Sequence, residues 1–327
     1  MKEFKDYDIM FPELVYDILD YFRAGNNVKE PRDKSVWDYC QNSRFNQLLQ
    51  QSGPVQPAIV YKICENLARK GYLNRLREGG MLGMNANYIY LSNNDALFLT
   101  KQKQFVFKIN CMAYGFHYIY NGCREFVLPV VVKKDSDIHM GTCFKFYNGI
   151  LTAKHCVQAD EVSIPGYSAV QLRKCRVLVS EDEKIDMAYI ETNEASVLTS
   201  DTAQVLDEVL VMGYPRIPQF FDFCAAERAA ISSIPTIGAV ASLADQYITP
   251  NVGNLMLVTA RIRAGNSGGP IINSDGAVVG VSFAESDSEA KYDEMGYGIA
   301  YPIAVFNQML QNSHSIEVNF VDEVKCN

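Results

Sequence analysis

The sequence predicts an α+β multidomain chain, with a mainly helical domain over residues 1–95, a bridging segment over 96–122 and an all-β antiparallel domain over 123–327. Three observations predict this. The 327 residues exceed one ordinary domain, for which about 150 is the prior. The texture changes near residue 105, from apolar residues at helical spacing to short β-rich runs separated by Gly, Pro, Asn and Asp. The composition, 48% hydrophobic and 21% charged, is that of a globular protein and excludes a disordered or collagen-like chain.

The helical elements come first. Phe11–Phe22 sets Leu14, Val15, Ile18 and Leu19 on one face, and Asn26-Asn27 breaks the run. Trp37–Leu49 predicts a second helix, closed by the break at Ser52-Gly-Pro54. Gln56–Lys70 predicts a third, with Ile59, Val60, Ile63 and Leu67 on one face and Gly71 as a left-handed cap. Leu73–Arg77 and Asn87–Leu91 then read as two strands around the flexible Gly79-Gly80. Helix, "KGYL" turn and hairpin together resemble a winged helix-turn-helix domain. The aromatic-rich bridge 96–122 is expected to pack rather than to act as a linker.

Eight β segments follow, at Val127–Val132, Cys143–Tyr147, Val177–Val179, Met187–Ile190, Val209–Met212, Met256–Ala260, Ala277–Phe283 and Tyr297–Ala300. Many strands at short spacing predict an antiparallel barrel or sandwich, with Ile303–Gln311 as a closing helix.

The net charge of −8 argues against a basic whole-protein surface for nucleic acid. No apolar run approaches the roughly 18 residues of a membrane span, so no membrane partner is expected. The N-terminus lacks the apolar core of a secretory signal, which places the expected location in the cytoplasm. Nine scattered cysteines without a C-x-x-C read as thiols of a reducing compartment. His117, His139, His155 and His314 stand apart without zinc spacing, so no metal site and no cofactor are expected.

Three short strings carry chemistry. Gly265-Asn266-Ser267-Gly268-Gly269-Pro270 allows a tight turn that exposes one hydroxyl and aims the amides of Gly265 and Ser267 at one point. Leu151-Thr152-Ala153-Lys154-His155-Cys156 puts a histidine just after an apolar strand. Lys184-Ile185-Asp186-Met187-Ala188-Tyr189-Ile190 puts a carboxylate at the edge of a buried one. Singly, each is an ordinary turn, structural histidine or cap.

In this order the three strings resemble the trypsin-like (chymotrypsin-fold) serine peptidases over about residues 123–312. Gly213-Tyr-Pro215 is similar to the bacterial HtrA-type branch. The resemblance implies a double antiparallel β-barrel and a serine endopeptidase acting on protein or peptide substrates. It implies Ser267 as nucleophile, His155 as general base, Asp186 as the group that orients His155, and Gly265 and Ser267 as the oxyanion hole. It also implies Ser282 as a support for Asp186. Gly280-Val-Ser282 and Gly298-Ile-Ala300-Tyr-Pro302 resemble the walls of the substrate pocket, which would draw on Arg261, Ser282, Phe283, Ala284 and Gly298. Arg261 facing that pocket would favour an acidic P1 residue; Arg261 pointing to solvent or pairing with Glu285 would not. Cys156 has the family's position after the histidine, but Cys143 is displaced from the usual partner site, so both are expected to be reduced.

Residues 1–95 hold twelve basic and twelve acidic side chains, and all of the net charge lies beyond them. The stretch 62–77 is locally basic, with Lys62, Arg69, Lys70, Arg75 and Arg77 against Glu65. A regulatory protein partner is the first expectation for this domain, and DNA the second. The competing functions are a DNA-binding regulator switched by proteolysis and a catalytically silent peptide-binding scaffold.

Overall fold

The computed structural model describes residues 13–24, 33–42, 56–80, 83–91, 100–215, 232–244, 255–283 and 296–325. The chain divides into two compact units, Met1–Ile119 and Tyr120–Asn327.

Among the described residues of the first unit, three helices precede a hairpin and a fourth helix. They are α1 (Leu14–Phe22), α2 (Val36–Asn42) and α3 (Pro57–Arg69), then β1 (Asn74–Arg77), β2 (Asn87–Ile89) and α4 (Lys103–Tyr114). The far end of the helix predicted over Trp37–Leu49 and the break at Ser52–Pro54 lie outside the described residues. Apolar spacing explains the packing. Leu14, Val15, Ile18, Leu19 and Phe22 of α1 and Val60, Ile63 and Leu67 of α3 are buried in one cluster with Tyr39, Tyr88 and Ile109. Each such side chain contributes about 1.5–3 kcal/mol by leaving water.

The end of α3 follows from Gly71. Its φ of +75° lets the Tyr72 amide reach back to the Leu67 carbonyl at 2.9 Å and the Gly71 amide to that of Ala68 at 3.0 Å. This double cap turns the chain into β1, which pairs antiparallel with β2. Several polar groups in this core are paired. Tyr39 donates to Asp17 at 3.0 Å, Tyr21 to Asp38, and Tyr88 to Glu65 at 2.5 Å. Lys34, only 1% exposed, donates to the Arg23 carbonyl at 3.3 Å.

From Lys103 onward the aromatic-rich bridge is helical: α4 is followed at once by α5 (Phe116–Cys123), which spans the point where the units divide. Ile109, Met112 and Ala113 of α4 are buried in the core of the first unit.

The second unit is built from two antiparallel sheets. The first uses β3 (Val127–Lys134), β4 (Asp137–Phe146), β5 (Gly149–Thr152), β6 (Glu161–Ser163), β7 (Val177–Ser180), β8 (Ala188–Ile190) and β15 (Ser313–Ile316). Its spatial order is β15-β7-β8-β5-β4-β3-β6. A short helix, α6 (Ala169–Leu172), sits between β6 and β7. The second sheet is a closed barrel in the order β10-β11-β14-β13-β12-β9. Its strands are β9 (Glu208–Gly213), β10 (Ile234–Ala244), β11 (Leu255–Val258), β12 (Pro270–Asn273), β13 (Val278–Phe283) and β14 (Gly298–Pro302). Helix α7 (Ala304–Gln311) then leads back to the first sheet.

Inward β-branched residues fill each sheet. Val130, Ile150, Val162, Val177, Val179 and Ile190 are buried in the first, and Val209, Val211, Val240, Val258 and Val279 in the second. The C-terminal segment joins both edges of the first sheet. After β15 pairs with β7, Phe320 bridges to Val162 of β6, and the Arg173 guanidinium donates to the Phe320 carbonyl at 2.6 and 2.9 Å. Among the described residues no helix is long and apolar enough to cross a membrane.

Candidate active site

Strand register brings the first two groups together. β5 and β8 pair with Thr152 opposite Ala188. Both strands then run off the same end of the pair, one into a short 3-10 turn at Lys154–Cys156 and the other back through Asp186. His155 and Asp186 therefore meet just beyond the sheet. The Asp186 carboxylate holds His155 at two points, accepting from its backbone amide at 2.9 Å and bonding its Nδ1 at 2.6 Å. The histidine side chain is half exposed, while Asp186 is 18% exposed.

The imidazole is strongly perturbed. Burial disfavours the charged ring. The hydrogen bond to Asp186, the Cys156 sulfur and the Asp186 charge outweigh it and raise the pKa to about 10. Bonding of Nδ1 to the carboxylate leaves Nε2 as the nitrogen that can exchange a proton with a neighbour.

The glycine-rich string forms a tight turn ahead of β12. Gly265 and Gly268 have φ of +93° and +82°. At Gly268 a side chain is excluded twice, by that angle and by crowding. A β-carbon there would lie 2.3 Å from the Thr142 carbonyl oxygen and 2.5 Å from the Ala153 amide. The turn is thus seated on the strand ends that lead to His155. Its own contact with β4 is the Thr142 amide donating to the Ser267 carbonyl at 2.9 Å. Ser267 is 3% exposed. Among the described residues no acceptor takes the Gly265 amide.

Two residues expected near this site have other tasks. Ser282 does not touch Asp186. Its buried hydroxyl accepts from the Gly269 amide at 3.1 Å and donates to the Asn266 carbonyl, because β13 runs beneath the Ser267 turn. Support for Asp186 comes from Tyr301 of β14, whose Oη accepts the Asp186 amide at 3.3 Å and donates to the Lys184 carbonyl at 2.8 Å. Arg261 is exposed; its carbonyl accepts from Thr236 at 3.0 Å, and among the described residues its guanidinium makes no hydrogen bond. Gly298 is buried, and the side chain lying over it is Ile262, 2.7 Å from where a β-carbon would stand. Phe283 is half-buried, its ring centroid 5.2 Å from that of Tyr301. Ala284 and Glu285 lie outside the described residues.

Tyr301, Ile262 and Thr142 were not singled out from sequence. The hydroxyl at Tyr301 in an otherwise apolar strand is the one signal that would have marked it. Cys143 and Cys156 are buried free thiols in one apolar cluster, and burial pushes the Cys143 thiol up. Among the described residues no group of three or more His, Cys, Asp or Glu side chains is placed to hold a metal ion.

Residues 140–281 match the family described as trypsin-like peptidase domain. The chain carries a trypsin-like peptidase domain. This domain is 30% identical over 146 residues to the magnetosome formation protease MamE of Paramagnetospirillum magneticum, covering 43% of this chain and 18% of MamE. It is 28% identical over 174 residues to the serine endoprotease DegS of Haemophilus influenzae, covering 50% and 46%. The serine protease Do-like HtrB of Bacillus subtilis is 29% identical over 199 residues, covering 56% and 38%. The chain thus spans less than half the length of these relatives. Among solved structures, the active form of the Rv3671c protease from M. tuberculosis overlaps 62% of this chain and 88% of its own, at 18% identity and a TM-score of 0.44. The peptidase domain's closed six-stranded barrel and companion seven-stranded sheet make a trypsin-like double β-barrel.

Proposed function

We propose that the chain is a serine endopeptidase that hydrolyses protein substrates through Ser267, His155 and Asp186. The observation that carries this reading is the double hold of Asp186 on His155, next to the strand ends on which the Ser267 turn rests. Ser267 Oγ attacks the scissile carbonyl as His155 Nε2 takes its proton. Asp186 keeps Nδ1 protonated and stabilises the imidazolium. The amides of Gly265 and Ser267 receive the developing oxyanion, each such donor being worth about 3–4 kcal/mol in a comparable site. His155 returns the proton to the leaving amine, and a water activated by His155 then releases the acyl group. The test is labelling by a fluorophosphonate probe with Ser267→Ala as control, together with cleavage of a peptide library. A wild-type chain that is neither labelled nor able to cut any peptide is a scaffold, not an enzyme.

The N-terminal unit is read as a winged-helix-like regulatory domain that binds a protein partner. The order of helices and a hairpin among the described residues supports this. The scattered cysteines support a reducing compartment such as the cytoplasm. One observation favours DNA as the second reading: Arg75 and Arg77 of β1 are exposed, as are Lys62 and Arg69 of α3. A gel shift at low and moderate salt separates the two, since phosphate-driven binding is strongest at about 50 mM salt. No shift there removes DNA.

A further inference from the structure

We infer that Thr142 and Ser282 are positioning residues that hold the backbone of the oxyanion turn, Ser282 setting the Ser267 amide and Thr142 the peptide between Gly265 and Asn266, an inference that rests on the peptidase reading above. The two hydroxyls are wired alike. Thr142 Oγ1 accepts the Tyr214 amide at 3.0 Å and donates to the Gly265 carbonyl at 2.6 Å. Ser282 Oγ accepts the Gly269 amide at 3.1 Å, and its proton reaches the Asn266 carbonyl and, at 3.1 Å, the Gly269 carbonyl, both in the turn. A hydroxyl has one proton. With a backbone N–H occupying a lone pair, that proton is aimed into the turn. Thr142 is 0% and Ser282 1% exposed, so water does not compete for either.

The effect on the amides follows from peptide planarity. A carbonyl and the next residue's N–H share one rigid plane. Holding the Asn266 carbonyl therefore fixes the direction of the Ser267 amide. Holding the Gly265 carbonyl fixes the plane on the C-terminal side of Gly265, a residue whose missing side chain would otherwise let that plane rotate. The Thr142 amide completes the arrangement by gripping the Ser267 carbonyl at 2.9 Å. Three successive carbonyls, at 265, 266 and 267, are thus held from outside the turn.

The two hydroxyls come from different sheets. Thr142 lies on β4 of the seven-stranded sheet, Ser282 on β13 of the closed barrel. The Thr142 carbonyl also accepts from Thr152 at 2.8 Å, three residues before His155. One residue thereby ties the oxyanion turn to the strand that delivers the base. The oxyanion turn is held at both places only when both sheets sit in register.

The experiment compares Thr142→Val, Thr142→Ser and Ser282→Ala with the wild-type chain. Its readouts are kcat and KM on a cleaved peptide, binding of a peptide boronate against its product peptide, thermal unfolding, and the ¹⁵N–¹H resonances of Gly265 and Ser267. In Thr142→Val, kcat falls about 10–100-fold with KM within about 3-fold, because an oxyanion donor acts in the transition state alone. Boronate binding weakens in parallel, product binding does not, and both amide resonances move. Thr142→Ser restores most of each change. If Thr142→Val does not fold, Ser282→Ala reads the same split and moves the Ser267 resonance most. A folded Thr142→Val with wild-type kcat, or a Thr142→Ser as impaired as Thr142→Val, overturns the inference while leaving the peptidase reading intact. A wild-type chain without activity overturns the peptidase reading instead. In that case the resonances decide the wiring: movement in Thr142→Val but not in Thr142→Ser sustains it, and unmoved resonances overturn it.

Discussion

Tyr301 holds Asp186 from the neighbouring barrel: its Oη donates to the Lys184 carbonyl at 2.8 Å and accepts the Asp186 amide at 3.3 Å. The carboxylate that orients His155 is thus fixed through the backbone of its own loop. Tyr301→Phe leaves the ring against Phe283 and removes this anchor. A lost hydrogen bond that strands a buried polar group costs about 1–3 kcal/mol. The expected outcome is a lower melting temperature and a reduced kcat with KM little changed, measured on purified Tyr301→Phe. Unchanged kcat would show that the loop holds Asp186 without Tyr301.

The pH dependence follows from His155. Its pKa is raised from 6.5 to about 10, and general-base action requires the neutral ring. The kcat/KM profile therefore climbs on the alkaline side, and Asp186→Asn shifts that limb toward acid. The same shift enters stability. A raised pKa stabilises the fold in full below about 6.5, and the contribution is lost as pH rises through about 10. The difference in melting temperature between wild type and Asp186→Asn should shrink over that window. A wild-type limb near 6.5 that Asp186→Asn does not move contradicts this account.

Pocket chemistry is expected to be apolar. Ile262 lies over Gly298, whereas Arg261 is exposed and makes no ion pair among the described residues. Peptide-library profiling should give apolar P1 residues, and Arg261→Ala should keep that order. Cleavage after Asp or Glu, lost in Arg261→Ala, would return Arg261 to the pocket.

Gly268→Ala is expected to be among the most damaging substitutions in the chain. The new methyl would meet the Thr142 carbonyl at 2.3 Å in a backbone conformation that side chains rarely adopt. Strain and displacement together cost about 2 kcal/mol or more. Denaturant unfolding should show that loss, and fluorophosphonate labelling of Ser267 should fail. A stable, labelled variant would mean that the turn has another way to sit.

What was legible in sequence is what is local. The strands at Val127, Val177, Val209 and Ala277 announce themselves by β-branched runs, and α3 by its apolar face and capping glycine. β12 was hidden because Pro270 closes a string that reads as turn, and β15 because Ser313-His314-Ser315-Ile316 is a polar edge strand without an apolar run. β10 contains Pro235 and Gly238 and a register shift after Val240, each of which masks a strand. Among site residues, the motif strings carried His155, Asp186 and Ser267. Tyr301 and Thr142 escaped because their partners lie 117 and 123 residues away. Ser282 was singled out only by the family resemblance, as a support for Asp186; its bond to the Asn266 carbonyl leaves no trace in a side-chain alphabet.

The segment 313–320, which pairs with β7 and bridges to β6, sets the order in which the two sheets can be completed on the ribosome. Residues 313–320 are made after every strand of the closed barrel, yet they are needed to join the two edges of the earlier sheet. Vectorial synthesis usually lets the first-made module fold first. Here the sheet that presents His155 and Asp186 waits for residues 313–320, so its two edges are joined only after the strands of the closed barrel have been made.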